Sequence, residues 1–262
     1  MEIVSLKPAL EPIFWKHINK DIPHYYFFAL DWKYNIDKTK ILLALEGNRI
    51  DGMMLVYDQR IVQLRGNFEA AKALCEKLDL EKVEFQALDQ HKQYILKKYK
   101  PTWSHQIMLM TLKRAEERLQ KEHPIVELEI SDAERAAAIM RDSDPEYWEE
   151  QTGQRIVERM NQGAIWLGIK INGELVSLGS ARLTEWAGLI GVVATQEDHR
   201  NRGYATSIVS ELVRQILGKM STALIYVLTD NQPAIRVYSK VGFKPYRTYF
   251  FMRGERLGKK PT

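Results

Sequence analysis

The chain has 262 residues, of which 45% are hydrophobic and 27% are charged, with a formal net charge of +4. This composition is typical of a globular protein with one large or two small domains, and no apolar run approaches the roughly 20 residues of a membrane helix. The single cysteine, Cys75, excludes an intrachain disulfide framework and a multi-cysteine metal site.

The first half of the chain predicts strands and helices in the order strand, strand, strand, helix, strand, helix, strand. The predicted strands cover residues 40–45, 49–56, 60–64, 82–87 and 106–112, and the predicted helices cover 69–78 and 90–99. An aromatic cluster at 22–32 is open to two interpretations, core packing or the wall of a substrate pocket. The charged stretch 113–124 ends in a proline that disfavours helix at His123, which predicts a linker.

The second half predicts the order strand, two helices, three strands, helix, strand, helix, strand. The predicted strands cover residues 125–130, 165–171, 175–183, 188–195, 223–228 and 248–253, and the predicted helices cover 133–141, 147–161, 205–217 and 233–240. Asn172 and Gly173 predict a two-residue hairpin loop. We expect the strand over 248–253 to close the sheet of this half.

A basic turn that contains a glycine joins the strand over 188–195 to the long helix after it. Such a turn delivers unpaired backbone N–H groups to a helix N-terminus, where a phosphate group binds readily. Gly203 lets the backbone approach a ligand, and Arg200 and Arg202 add positive charge. The turn therefore predicts a diphosphate site, although an ordinary connection with solvated arginines has the same pattern.

Two motifs in this half resemble those of a known family. Arg200-x-x-Gly203-x-Ala205 resembles the pyrophosphate-binding signature (Q/R)-x-x-G-x-(G/A) of the GNAT superfamily of acyl-CoA-dependent N-acyltransferases. Residues 231–243 resemble the family's N-x-x-A-x-x-(L/V)-Y-x-x-x-G-F element. The resemblance covers about residues 125–253, and both motifs occur in the order that the family has.

The resemblance implies an α+β fold with α-β-α layers, built as two GNAT-like mixed-sheet halves. The C-terminal half is complete, and the N-terminal half repeats the same order in degenerate form. Its corresponding turn, residues 64–70, is too short for a six-residue cradle and carries one arginine. We predict a degenerate domain over 1–116 that is structural or shapes the acceptor site. A linker over 117–124, a catalytic domain over 125–254 and a basic tail over 255–262 follow.

The function implied is that of an N-acyltransferase, in particular an N-acetyltransferase. It would move an acetyl group from acetyl-CoA, its co-substrate, to a primary amine by direct attack in a ternary complex. The alternative is a CoA-binding sensor or scaffold without turnover. The acceptor is a small-molecule amine or a peptide amine. The sequence leaves its identity, the acyl chain length and the oligomeric state open.

The resemblance also assigns residues to the site. Tyr238 is implied as the general acid that protonates the departing CoA thiolate, with a tyrosine of the core as the alternative. Glu185 is the candidate base, beside Glu149, Glu150 or a water held by backbone carbonyls. The residues implied in cofactor binding are Val193, Ala194, Thr195, Arg200, Asn201, Arg202, Gly203, Tyr204, Ala205, Thr206 and Asn231.

Several partners and ligands are not expected. The histidines have no metal-ligand spacing, so we predict no metal. The basic residues are dispersed among acids, so nucleic acid is not an expected partner, and neither is a membrane. The N-terminal stretch lacks the pattern of a secretory signal, which predicts a cytoplasmic location.

Overall fold

The structure is a computed structural model that describes residues 1–258, and these residues form two compact units. Unit 1 contains residues 1–108, 228–230 and 247–258, and unit 2 contains residues 109–227 and 231–246. No helix of the described residues is long and apolar enough to cross a membrane. Part of the predicted basic tail, residues 259–262, lies outside the described residues.

Unit 1 begins with a short strand and two helices that the sequence patterns did not separate. In chain order its elements are β1 (Glu2–Ser5), α1 (Glu11–Ile18), α2 (Ile22–Tyr34), β2 (Thr39–Glu46), β3 (Arg49–Tyr57), β4 (Ile61–Gly66), α3 (Phe68–Glu76), β5 (Lys82–Ala87), α4 (Lys92–Lys98) and β6 (Tyr99–Lys113), whose residues from Leu109 belong to unit 2. The aromatic cluster lies on α2, where Tyr26 and Phe28 are fully buried. Core packing therefore accounts for these two rings.

The elements of the second half follow the predicted order. They are β7 (Val126–Glu127), α5 (Ala133–Ser143), α6 (Gly153–Asn161), β8 (Ile165–Ile171), β9 (Glu174–Leu183), β10 (Gly188–Thr195), α7 (Tyr204–Lys219), β11 (Thr222–Leu228), α8 (Gln232–Val241) and β12 (Lys244–Arg256). In unit 2 the strands lie in the order β11-β10-β9-β8-β7. β10 and β11 are parallel, and the other neighbours in this series are antiparallel.

The last strand corrects one expectation. β12 does not close the sheet of the second half, because residues 250–255 pair antiparallel with residues 82–87 of β5 in unit 1. The strands of unit 1 lie in the order β1-β2-β3-β4-β5-β12-β6. Residues from 247 lie in unit 1, the chain from 109 to 124 lies in unit 2, and β12 extends to Arg256, into the predicted tail. The domains and the roles assigned to them from the sequence stay predictions.

A second correction concerns the predicted helix over residues 147–161. The structure has separate turns before Gly153, and α6 begins only there. Thr152 caps the helix by accepting a hydrogen bond from the Arg155 N–H at 3.3 Å. The Arg141 guanidinium donates to the carbonyl of Gln151, and this contact holds the chain outside the helical path.

The two halves repeat one order of elements. β2-β3-β4-α3-β5-α4-β6 in the first half corresponds to β8-β9-β10-α7-β11-α8-β12 in the second. In the first half, β4 and β5 pair in parallel up to Leu64 and Ala87, near the ends of both strands. Asn67 then caps α3, since its side-chain oxygen accepts from the Ala70 N–H at 2.9 Å.

Arg65, the arginine of the degenerate turn, is fully buried. Its guanidinium donates to the Gln63 side chain at 3.0 Å and to the Gln86 carbonyl at 3.1 Å, and it lies 4.3 Å from the centre of the Tyr249 ring. Its hydrogen-bond donors are therefore directed at groups of the protein interior.

The cap at Asn67 gives a test of this local account. We expect Asn67→Ala to lower the free energy of unfolding by about 1 kcal/mol, because the variant loses the cap of α3. Asn67→Ser keeps an oxygen that can accept from the same N–H and should stay closer to the wild type. Urea unfolding of the three proteins measures the difference, and equal values for all three would contradict the cap.

Candidate functional site

The site is built around an irregularity in β10. The pairing of β10 with β9 shifts register between Ile190 and Val193, so that Gly191 and Val192 lie opposite the single residue Ser180. This is the geometry of a β-bulge, which bends a strand and re-aims its backbone groups. Parallel pairing of β10 with β11 covers residues 188–190 and 223–225 only. Beyond Ile190 the two strands separate, and a gap opens between them.

The backbone of β10 beyond the bulge is directed into this gap. The Gln196 N–H donates to the Val176 carbonyl of β9 at 2.9 Å. Because N–H and C=O groups alternate sides along a strand, those of Val193 and Thr195 point away from β9. The Thr195 carbonyl accepts from Arg200 Nε at 3.3 Å. The Val193 N–H is thus a donor at the edge of the gap, where a chain of amide groups can lie beside β10.

The turn before α7 forms a concave group of N–H donors. Asn201 has φ 61° and Gly203 has φ 81°, both in the left-handed region. No side chain caps α7, whose N-cap is Gly203. The N–H groups of the first turn, at Tyr204, Ala205 and Thr206, are therefore available to an anion, as helix N-termini commonly are.

The two arginines of the turn contribute positive charge at its rim. Both are exposed. Arg202 donates to the Asp198 carbonyl at 3.1 Å, which leaves further guanidinium donors directed at solvent. Tyr204 is buried, and its ring lies 6.3 Å from the His199 ring. The sequence-predicted residues 193–195 and 200–206 therefore line the end of β10 and the beginning of α7, in one unit.

Asn231 and Tyr238 lie on α8, which follows β11. Asn231 is the N-cap and accepts from the Ala234 N–H at 3.1 Å, as its sequence position predicted. Tyr238 is two helical turns later and only 6% exposed, with its ring 6.2 Å from that of Phe243. Burial raises the pKa of the Tyr238 hydroxyl above its ordinary value of 10.0, so the phenol stays protonated at neutral pH.

Glu185 lies apart from these residues. It is exposed in the turn between β9 and β10, before the paired segment 188–190 and thus at the opposite end of β10 from the turn at 200–203. The structure does not bring it to the bulge, and its role as a base stays a prediction. Within residues 1–258 no group of histidine, cysteine or carboxylate side chains is arranged to hold a metal ion.

One part of this site was not predicted from the sequence. His123, from the predicted linker, lies beside the turn before α7, with its Nε2 2.7 Å from the Arg202 carbonyl oxygen. A Cβ atom on Gly203 would lie 3.1 Å from Glu122 Oε2 and 3.3 Å from His123 Nε2. Linker residues therefore form one wall of the turn. No local pattern could have predicted this, because it depends on where a charged, irregular segment lies.

Comparisons with known proteins agree with this geometry. The FR47-like protein family model matches residues 166–252, which include the bulge, the turn and both motifs. A search of curated protein sequences gave no match.

Solved structures match over most of the chain. A Drosophila protein shares 12% identity at a TM-score of 0.72, covering 95% of this chain and 98% of its own. A GNAT-family acetyltransferase from Colwellia psychrerythraea shares 11% identity at a TM-score of 0.59, and the match covers 97% of this chain and 100% of the other. A tandem GNAT protein from the clavulanic acid biosynthesis pathway shares 14% identity at a TM-score of 0.52, and the match covers 85% of this chain and 84% of the other.

These findings confirm the recognition of the GNAT superfamily made from the two motifs. The chain has the fold of GNAT acetyltransferases, and its C-terminal half also matches a GNAT-related family in sequence. The predicted fold class, two GNAT-like halves with mixed sheets, is confirmed as well.

Gly203 gives a test of the turn. We expect Gly203→Ala to raise the Kd for acetyl-CoA about tenfold or more, because the left-handed φ of 81° strains an alanine and its Cβ meets Glu122 and His123. Gly218→Ala is the matched control, since no atom lies within 4 Å of its added Cβ. Isothermal titration calorimetry measures both, and equal affinities in the two variants would argue against the turn as the binding site.

Proposed function

We propose that the protein is an acyl-CoA-dependent N-acyltransferase that moves the acetyl group of acetyl-CoA to a primary amine. The observation that carries the proposal is the gap that opens beside β10 after the bulge at Gly191 and Val192, next to the uncapped N-terminus of α7. The end of β10 offers a site for an amide-rich chain, and the turn that follows β10 offers a site for an anion. Coenzyme A has both parts in that order.

Binding of acetyl-CoA is proposed to use backbone groups more than side chains. The diphosphate would accept hydrogen bonds from the N–H groups at 203–206, with Arg200 and Arg202 adding charge and Asn201 shaping the turn. The pantetheine arm would lie along residues 193–195 and bond to their backbone as a strand does. The Asn231 amide can reach the same arm while its oxygen caps α8.

The chemical step is proposed to be direct attack in a ternary complex. The amine nitrogen bonds to the thioester carbonyl carbon, and negative charge develops on the carbonyl oxygen. The Val193 N–H, directed into the gap, is a fixed donor for that oxyanion. The carbon–sulfur bond then breaks, and the thiolate of CoA takes a proton from the Tyr238 hydroxyl. The amine nitrogen gives up its proton to the base or to water, and the Tyr238 phenolate regains a proton from solvent.

The attacking amine needs a proton acceptor. The candidates from the sequence are the carboxylates of Glu185, Glu149 and Glu150 and a water held by backbone carbonyls. Glu185 is exposed, so a direct role requires the acceptor to extend towards the turn between β9 and β10. A cytoplasmic location and an acceptor that is a small amine or a peptide amine complete the proposal.

Tyr238→Phe tests the general acid. We expect kcat to fall about a hundredfold or more, because the thiolate loses its proton donor, while the Kd for acetyl-CoA stays within a few-fold of the wild type. Amine-dependent release of free thiol is the measurement, with a panel of amines as acceptors. Tyr246→Phe, at an exposed tyrosine of the same unit, is the control.

The same assay separates transfer from cofactor binding alone. If the wild type binds acetyl-CoA but releases no thiol with any amine, a CoA-binding sensor is the better account.

The pH dependence of the rate tests the protonation of Tyr238. Because burial raises the pKa of Tyr238, its hydroxyl stays protonated, and its titration should cause no loss of rate at any pH below 10.0, the ordinary pKa of tyrosine. A fall at lower pH that Tyr238→Phe abolishes would contradict the raised pKa of Tyr238.

Glu185→Gln tests whether the Glu185 carboxylate is the proton acceptor. If the carboxylate is the base, kcat at neutral pH falls about a hundredfold. If an ordered water, Glu149 or Glu150 is the base, the variant keeps wild-type turnover. The same substitution at Glu174, at the start of β9, is the control for loss of a surface charge.

A further inference from the structure

The segment after β6 is a strap that is bound along two helices of unit 2. Its contacts begin at the C-terminal end of α7, cross the end of α8 and finish at the N-terminal end of α7, so the strap runs antiparallel to α7. We define the strap as residues 114–123. Its hydrogen bonds join Arg114 Nε to the Leu217 carbonyl (2.8 Å), Arg118 Nη2 to the Ser239 carbonyl (2.9 Å), the Gln120 N–H to Ser210 Oγ (3.0 Å) and the Glu122 N–H to Ser207 Oγ (3.4 Å).

The last residue of the strap reaches the diphosphate turn. His123 Nε2 lies 2.7 Å from the Arg202 carbonyl oxygen, and a carbonyl only accepts, so this nitrogen carries the proton of the hydrogen bond. The His123 ring also meets the Tyr204 ring edge-on, with centroids 4.6 Å apart and an interplanar angle of 88°. One side chain thus contacts the residues on both sides of Gly203.

The hydrogen bond to Arg202 fixes the direction of the next N–H. The carbonyl of Arg202 and the N–H of Gly203 belong to one planar peptide, which is trans, so the two groups point in opposite directions. With the carbonyl held against His123, the Gly203 N–H is directed away from the strap. Asn201 and Gly203 are both left-handed, and the hydrogen bond from His123 holds the peptide that joins Arg202 to Gly203 in this orientation.

We propose that His123 is a positioning residue for the diphosphate of CoA. It acts through the Arg202–Gly203 peptide, which it orients so that the Gly203 N–H faces the anion. The segment that the sequence predicts as a linker is therefore part of the cofactor site. This inference rests on the proposed function, because it takes the turn to bind the diphosphate of acetyl-CoA.

The test compares two donors that differ in the diphosphate. Acetyl-CoA contains it, and acetyl-pantetheine lacks it but keeps the arm and the thioester. We expect His123→Ala to raise the Kd for acetyl-CoA about three- to tenfold, the effect of one lost hydrogen bond, and to leave the Kd for acetyl-pantetheine unchanged. His123→Phe keeps a ring against Tyr204 without the donor and should behave like alanine.

Two further variants complete the experiment. His123→Gln supplies a side-chain N–H donor of similar reach and should restore binding of acetyl-CoA to within about twofold of the wild type. Gln120→Ala is the control within the strap, because its hydrogen bond to Ser210 uses the backbone N–H. Thermal unfolding of each variant shows whether the strap stays bound.

The outcomes separate this inference from the function on which it rests. Wild-type affinity for acetyl-CoA in both His123→Ala and His123→Phe would overturn the positioning role and leave the acyltransferase proposal intact. Equal losses for acetyl-CoA and acetyl-pantetheine would also overturn it, since the effect would not depend on the diphosphate. A wild-type protein that binds neither donor would contradict the proposed function itself.

Discussion

The bulge in β10 is the constraint on which the site depends. Gly191 and Val192 of β10 lie opposite the single residue Ser180 of β9, and this extra residue shifts the pairing of the two strands. A parallel strand pair is a continuous surface with its N–H and C=O groups satisfied, and a ligand cannot pair with either strand. After the bulge, β10 and β11 separate, and the backbone groups of Val193 and Thr195 have no strand opposite them. The fold therefore presents an open strand edge in the middle of a sheet.

The first half shows what the same order of elements does without this constraint. β4 and β5 stay paired as far as Leu64 and Ala87, so no gap forms between them. Asn67 caps the helix that corresponds to α7, and Arg65 is buried against neutral acceptors. This turn therefore has no gap between its strands, its helix N-terminus is occupied by a side chain, and its arginine does not face a ligand. Among residues 1–258, these contrasts favour the turn of the second half as the proposed cofactor site.

Charge along the strap complements the dipole of α7. Arg114 donates to a carbonyl in the last turn of the helix, where positive charge is favourable. Glu122 lies beside the N-cap glycine at the other end, where negative charge is favourable. The buried hydroxyls of Ser207 and Ser210 accept from the strap backbone between these ends. The wall of the turn at Gly203 thus depends on a segment whose own sequence has no regular pattern.

The sequence by itself determined the features that depend on neighbouring residues. The apolar run predicted β10 as residues 188–195. Asn172 and Gly173 predicted a hairpin loop, in which both residues have positive φ. Asn231 was predicted as the N-cap of α8. The two motifs identified the superfamily. Tertiary structure alone decided the partner of β12, the turns that replace the start of the helix predicted from 147, and the place of the strap. These depend on hydrogen-bond partners far away in the chain, such as β5 for β12 and Arg202 for His123, and no local spacing in a sequence encodes such a partner.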